Sequence, residues 1–269
     1  MRTIVHLSDL HFGRTDPALI EPLIANVNGI GADLVVISGD LTQRAKQAQF
    51  EEARDFLARL MPPRLVVPGN HDVPLYRVWE RFFSPLGKYR RIIESDLEPT
   101  FIDDAIACIG INTARSLTFK DGRINHEQMK SIRRRLAPLG EAVTKIVVTH
   151  HPFDLPDEEG DVDLVGRARA AMAVFSQCGV DLLLAGHLHV SQSGETSARH
   201  EIAGYSALVV QAGTATSTRG RGEANSFNVL RVENRRIDVE RRIWHADAGE
   251  FRADRIERFV REGERWIER

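Results

Sequence analysis

The chain has 269 residues, of which 42% are hydrophobic and 28% charged, with a formal net charge of −2. That is the profile of a soluble globular protein with length enough for a substantial core, and its neutrality argues against a task of coating nucleic acid, so no stable nucleic-acid binding is expected. The opening MRTIVHLSDL has no long apolar stretch of the signal-peptide kind, and no run reaches the roughly eighteen apolar residues of a membrane helix. Cys108 and Cys178 stand in apolar surroundings and read as buried free thiols; the expectation is a cytoplasmic protein without a membrane partner.

Short β-branched or apolar runs recur along the chain: TIVHL, DLVVISG, RLVVPG, AIACIGIN, KIVVTHH, DLLLAGH, ALVVQAG, FNVLRV and RIDVERRIW. Helical patterns separate several of them. Pro17–Asn28 follows an Asp at a cap position and sets Leu19, Leu23 and Val27 on one face. Ala45–Leu60 carries Phe50, Ala53, Phe56, Leu57 and Leu60, and His126–Leu136 and Ala168–Gln177 are similar. The segment VPLYRVWERFFSPLGKYRRII reads as a partly helical cap whose Tyr76, Trp79, Phe82 and Phe83 form a core stripe. Alternation of this kind predicts an α/β fold with helices outside a sheet. Beyond about Leu208 no helix intervenes, and the strands read as an antiparallel run that a second sheet would accommodate. Glu250–Arg269 is charged, with Phe251, Ile256 and Phe259 at helical spacing. The organisation expected is a domain over residues 1–246 and a C-terminal helix over 247–269.

Polar residues gather where these strands end. Asp9 and His11 follow the first, Asp40 the second, Asn70, His71 and Asp72 the third, His150 and His151 the KIVVT run, and His187 and His189 the DLLLAG run. If Asp9 and His11 continue an extended segment, their i, i+2 spacing turns both to one side. Singly, Asp40 reads as a helix cap, Asn70–Asp72 as a turn and His150–His151 as a surface pair. Together, at the carboxyl ends of five strands where open α/β sheets bind ligands, they read as a metal site. Glycine stands before three of them, as Gly39, Gly69 and Gly186, where the chain must turn in a crowded place. Imidazoles and carboxylates without thiolates suit zinc, manganese or iron. Six or seven such groups exceed one tetrahedral ion and suit two metals sharing a carboxylate.

In order, DLH, GDLT, GNHD, THHP and GHLH resemble the five signature blocks of the calcineurin-like metallophosphoesterase superfamily. The resemblance implies a four-layer sandwich of two mixed β-sheets flanked by helices, and covers all but the last twenty or so residues. It implies that Asp9, His11, Asp40 and His189 hold one metal, and Asp40, Asn70, His150 and His187 a second, with Asp40 bridging. His71 would face the phosphate, Asp72 would orient His71 or its loop, and His151 would support or wall the site. Purple acid phosphatases place a metal-binding Tyr three residues after the bridging Asp. Here Gln43 stands there, which argues against that subclass.

The chemistry expected is phosphate-diester hydrolysis by a hydroxide bridging two ions of Mn, Fe or Zn. Within the superfamily the chain is most similar to bacterial class III cyclic-nucleotide and broad-specificity phosphodiesterases, in its compact size, THHP and the stretch GTATSTRGRGEANSFNV. The substrate is expected to be a small phosphate ester, with Asn112, Arg115, His151, Arg219 and Arg221 alongside His71 as candidate contacts; the resemblance also allows a homodimer. A phosphomonoesterase would share all five blocks. A repair nuclease subunit would be longer, and the lipid A precursor pyrophosphatase typically has Arg at the position of His71. A metal-binding scaffold without catalysis would have lost ligands that are all present here.

Overall fold

The computed structural model describes residues 1–116, 121–156, 164–196, 202, 204–218 and 222–269. Arg219 and Arg221 lie outside them. The first sheet begins with three parallel strands, β1 (Arg2–Leu7), β2 (Leu34–Ser38) and β3 (Arg64–Val67). The second contains β4 (Thr100–Ile102), β5 (Ile106–Gly110), β6 (Thr144–Val148), β7 (Leu182–Ala185), β8 (Gln192–Glu195) and β9 (Leu208–Gln211) in the order β4-β5-β6-β7-β9-β8. Helices α1 (Pro17–Ile30), α2 (Gln47–Ala58), α3 (Val78–Phe83), α4 (Gly87–Ile92), α5 (His126–Leu136) and α6 (Ala168–Cys178) are the α-helices among the described residues, and Asn70–Asp72 forms a single 3₁₀ turn.

The helix starts follow local chemistry. Asp16 accepts a hydrogen bond from the Ala18 amide at 2.9 Å and caps α1, which stops at left-handed Gly31. Ala45, expected inside the second helix, has φ 49° and cannot be in one, so α2 begins at Gln47.

Three apolar layers make the sandwich. Val5, Leu7, Ile37, Phe227 and Val229 face α1 and α2 through Leu19, Leu23, Phe50 and Phe56. Ile4, Val36, Cys108, Ile146, Leu184 and Leu230 fill the space between the sheets. Ala107, Ile109 and Val147 face α5 and α6 through Ile132, Met172 and Phe175. Both faces of the parallel strands are covered, which is why those strands read as continuous apolar runs rather than alternating ones. Two mixed sheets flanked by helices are therefore the observed architecture. Both cysteines are free and buried. Among the described residues no helix is long and apolar enough to cross a membrane.

Two expectations for the C-terminal third are corrected. Leu208–Gln211 does not join the later antiparallel strands: β9 lies in the second sheet, parallel to β7 and antiparallel to β8. The antiparallel strands are β10 (Ser226–Glu233), β11 (Arg236–His245), β12 (Glu250–Glu262) and β13 (Arg265–Glu268), and they extend the first sheet from the free side of β1. Residues 247–269 are thus not a helix but the outer hairpins of that sheet. Left-handed Gly249 and Gly263 turn the chain at either end of β12. The register between β11 and β12 shifts between Arg241 and Arg242, leaving Asp254 as the extra residue of a bulge. A one-residue bulge swaps the faces of a strand, so Phe251 joins the helix-side layer while Phe259 and Trp266 enter the layer between the sheets. That swap breaks the two-residue period and leaves the apolar residues at spacings that imitate a helix.

A third correction concerns the aromatic stripe after GNHD. Tyr76, Trp79 and Phe83 are each 78% exposed, and Phe82 is 51% exposed. The segment is helical in part, as α3 and α4, but its aromatics are not core. The buried aromatic of this region is Tyr89, whose hydroxyl donates to the Val66 carbonyl at 3.0 Å.

Candidate metal centre

The carboxyl ends of β1, β2 and β3 from one sheet and of β6 and β7 from the other converge on one buried polar cluster. Five of its side chains sit on strained backbone: φ is 53° at Asp9, 51° at His11, 53° at Asp40, 74° at His187 and 61° at His189. Non-glycine residues persist in the left-handed region only where their surroundings over-determine them, and such residues collect at functional sites. Asp9 and His11 do converge, with His11 Nε2 3.5 Å from Asp9 Oδ1. They do so because the chain leaves β1 in a left-handed turn, not because an extended strand alternates.

Asp9 is aimed by its neighbours. Its Oδ2 accepts from the Ser8 hydroxyl at 2.6 Å and from the His187 amide at 3.0 Å. Oδ1 is left facing His11 Nε2 and, at 3.6 Å, His189 Nε2. The rings of His11 and His189 stack in parallel with centroids 5.2 Å apart. His189 is fixed through Nδ1, 2.7 Å from the Thr214 hydroxyl.

Asp40 divides its two oxygens. Oδ2 lies 3.6 Å from His11 Nε2, whereas Oδ1 lies 3.4 Å from His150 Nε2 and accepts from the His71 amide at 2.8 Å. His150 Nδ1 is 2.8 Å from the Ser38 carbonyl, which can only accept, so Nδ1 carries the hydrogen and Nε2 is the atom offered to the site. Around that Nε2 stand Asn70 Oδ1 at 3.0 Å and His187 Nδ1 at 3.3 Å. The glycines make room for this. A β-carbon on Gly69 would lie 2.1 Å from Asp40 Oδ1, and one on Gly186 would lie 1.8 Å from Ser8 Oγ. Both positions need space rather than unusual backbone; only Gly39, at φ 93°, needs the backbone as well.

The electrostatics favour a cation in the middle. Burial pushes the Asp9 and Asp40 carboxyls up, but the surrounding histidines overcome it and hold both well below the carboxylate range. Burial lowers His150, yet Asp40 and Asp9 raise it to about 9. His187, buried and beside His150, falls to about 4. The cluster holds its carboxylates charged and stabilises positive charge between them, as a metal site does. The buried Asp9 Oδ1 and both ring nitrogens of His11 have no hydrogen-bond partner. Lone pairs from oxygen and imidazole nitrogen, aimed inward and held from behind by Ser8, Ser38 and Thr214, fit hard-to-borderline ions such as Mn, Fe or Zn.

His71 stands at the edge, 19% exposed, with Nε2 4.0 Å from Asp40 Oδ2. Its Nδ1 lies 3.0 Å from the Gln43 carbonyl, so Nδ1 donates and Nε2 is the ring nitrogen on the side of Asp40. Asp72 accepts from the Gly69, Leu41 and Thr42 amides and the Thr42 hydroxyl at 2.9–3.2 Å. It ties the β2 and β3 loops together, so it sets the loop that carries His71. Burial and the charge of Asp40, offset by these donors, raise its carboxyl to about 6. His151 is fully buried, with Nδ1 2.8 Å from the Thr113 hydroxyl and its ring 4.6 Å from that of His187. It backs the site.

Asn112 and Arg115 stand beside Thr113, the residue that meets His151. They line a cavity of about 350 Å³ with Phe83, Leu86, Arg90 and Leu97. Arg115 donates to the Asn112 and Ala114 carbonyls and to Gln128, bracing its own loop. Reading strand ends for metal-ligand types passed over Ser8, Ser38 and Thr214, which orient side chains of the cluster, and Thr113, which orients His151.

Comparison with known proteins agrees with this geometry. Residues 2–191 match the family described as calcineurin-like phosphoesterase. The chain is 25% identical over 163 residues to the 3′,5′-cyclic adenosine monophosphate phosphodiesterase CpdA of Escherichia coli K12, covering 58% of this chain and 54% of that one. It is 23% identical over 169 residues to the glycerophosphodiester phosphodiesterase GpdQ of Enterobacter lignolyticus, covering 59% and 60%. The matched part thus spans little more than half the length of these relatives. A dimetal phosphatase from Danio rerio superposes with a TM-score of 0.66 at 14% identity over 94% of this chain and 98% of that one, a likeness of fold. With the family match running through every strand end that feeds the cluster, the chain belongs to the calcineurin-like phosphoesterase family.

Proposed function

We propose that this protein is a binuclear-metal-dependent phosphodiesterase, acting on small organic or cyclic-nucleotide phosphate diesters. The observation that carries the reading is the division of Asp40: one oxygen faces His11, the other His150, as a carboxylate shared between two ions would. On this reading Asp9, His11 and His189 complete one ion's ligands, and Asn70, His150 and His187 the other's. The diester preference is supported by the CpdA and GpdQ relatives, both named for diester hydrolysis.

Two such ions, when bound, acidify a water molecule and draw charge from a phosphoryl group. The chain's own residues supply the rest. His71, pinned through Nδ1 to Gln43, presents Nε2 to the reacting phosphate. From there it stabilises negative charge on the phosphoryl oxygens or gives a proton to the departing alkoxide. Asp72 holds the His71 loop against the loop of Asp40, fixing the distance between acid and metal centre. Asn70 is a neutral ligand, which leaves its side of the centre more positive than a carboxylate would and favours an anionic ester.

The test is steady-state hydrolysis by metal-free protein reconstituted with manganese, comparing bis(p-nitrophenyl) phosphate, p-nitrophenyl phosphate and 3′,5′-cyclic AMP. A preference for the diesters is expected. Faster hydrolysis of the monoester would make the protein a phosphatase, and inactivity on all three would count against catalysis on such esters.

A further inference from the structure

Beside His71 opens a cavity of about 640 Å³, large enough for a nucleotide-sized group. Its wall carries four cations, Arg44, Lys46, Arg77 and Lys88, with Tyr76 and Pro74. Arg77 and Lys88 share one carboxylate, Glu80. Arg44 and Lys46 form no ion pair with any of the described residues, so the cavity keeps an excess of positive charge.

The cavity is joined to the site through Arg44. Its Nη1 donates to the Gln43 carbonyl at 3.1 Å, the same acceptor that takes the His71 Nδ1 hydrogen, and so comes within 3.4 Å of that ring nitrogen. The loop that carries it is tightly built. Ala45 is held at φ 49°, its amide donating to Thr42 Oγ1 at 3.1 Å, while Gln49 Oε1 accepts from the Arg44 amide at 2.9 Å. Thr42 in turn bonds Asp72. One network therefore fixes both His71 and the cationic wall, and a strained alanine at that wall marks a position maintained for something other than stability. Tyr76, 78% exposed, adds an aromatic face at the same wall.

We propose that this cavity seats a second anionic group of the substrate, a phosphate on one arm of the diester, with a ring of that arm against Tyr76. Resting on the phosphodiesterase reading, this narrows it: a diester whose arm carries a further phosphate is preferred over one, such as a cyclic nucleotide, whose only phosphate is the scissile one. Guanidinium and ammonium groups without carboxylate partners recognise phosphate by charge-assisted hydrogen bonds.

The experiment uses two chromogenic esters on the manganese-reconstituted protein, thymidine 5′-(p-nitrophenyl phosphate) and the same compound bearing a 3′-phosphate. The 3′-phosphorylated ester is expected to have a kcat/KM about tenfold higher, through KM, the effect of one well-placed ion pair. In Arg44→Gln and Lys46→Gln that preference is expected to shrink to within about twofold, as a lost charge-assisted bond requires. Calorimetry with thymidine 3′,5′-bisphosphate and thymidine 5′-monophosphate reads the same cavity without turnover. Hydrolysis of both esters with equal kcat/KM and equal binding of the two nucleotides upholds the phosphodiesterase and overturns the cavity. Tighter binding of the bisphosphate, lost in Lys46→Gln, upholds the cavity even if neither ester is cleaved. A preference that survives both substitutions overturns the assignment to Arg44 and Lys46.

Discussion

Gly69 and Asp40 approach so closely that a single methyl group on Gly69 would stand 2.1 Å from Asp40 Oδ1 and 2.3 Å from the Asp40 backbone nitrogen. The carboxylate shared by both histidine sets has its position only because residue 69 has no side chain. Gly69→Ala is therefore expected to displace Asp40 and to weaken metal binding by about 10- to 100-fold, the range for disturbed ligand support. Titration with manganese followed by elemental analysis checks it, and wild-type affinity would sink the argument.

Removing ligands outright should be more severe. Asp40→Ala and Asn70→Ala are both expected to abolish turnover, Asp40→Ala with loss of both metal equivalents. Normal turnover in Asp40→Ala would end the two-metal scheme.

His71 should separate binding from chemistry. His71→Ala is expected to retain both metals while kcat falls by about 100-fold or more, as for a general acid or an electrostatic stabiliser. Loss of metal in that variant would instead make His71 a ligand.

His6 gives the fold an acid-sensitive element. It is fully buried in β1, with Nε2 2.9 Å from the Ser38 hydroxyl, and burial pushes its pKa down to about 3. Its folded value lies below its unfolded one, so between pH 6.5 and 3 the unfolded chain takes up a proton that the folded chain refuses. Stability is intact above about pH 6.5 and falls on acidification by up to about 1.4 kcal/mol per pH unit. Urea unfolding of wild type and His6→Gln between pH 7 and 4.5 isolates this slope, which should be shallower in the variant.

The C-terminal strands should be indispensable to the domain. Trp266 is 3% exposed and packs between the sheets with Ile237, Val239 and Phe259. Trp266→Ala is expected to cost about 3–5 kcal/mol, read by urea unfolding, and truncation after residue 246 should yield no cooperatively folding protein. A stable truncated chain would restore the picture of a detachable tail.

The parallel strands were legible because both of their faces are buried, and the polar cluster was legible because the residues that end those strands are of the few types able to hold a metal. What escaped was set by tertiary context. Phe251 and Phe259 enter opposite layers because the bulge at Asp254 breaks the alternation between them, and Ile256, which completed the helical spacing, is 45% exposed; Gly249 and Gly263, the turn residues, were the better signal. Trp79 and Phe83 stack on each other with centroids 5.4 Å apart, outside the core, and spacing alone does not tell an exposed aromatic stripe from a buried one. Asp9 and His11 meet as expected but through left-handed backbone, a conformation that residue type does not announce. The hydroxyls of Ser8 and Thr214 and the backbone carbonyl of Ser38 went unseen because such groups acquire their role only from the neighbour the fold brings to them.

The side chains proposed as ligands come from two different sheets: Asp9, His11, Asp40 and Asn70 from one, His150, His187 and His189 from the other. Ions that hold them together act as rivets through the seam of the sandwich. Elsewhere the sheets meet across an apolar layer. The metal-loaded protein should therefore gain rigidity along that seam and unfold at a higher temperature, because ions that bind the closed seam do not find those seven residues assembled in the open chain. Catalytic competence and the mutual registry of the two sheets then depend on the same bonds.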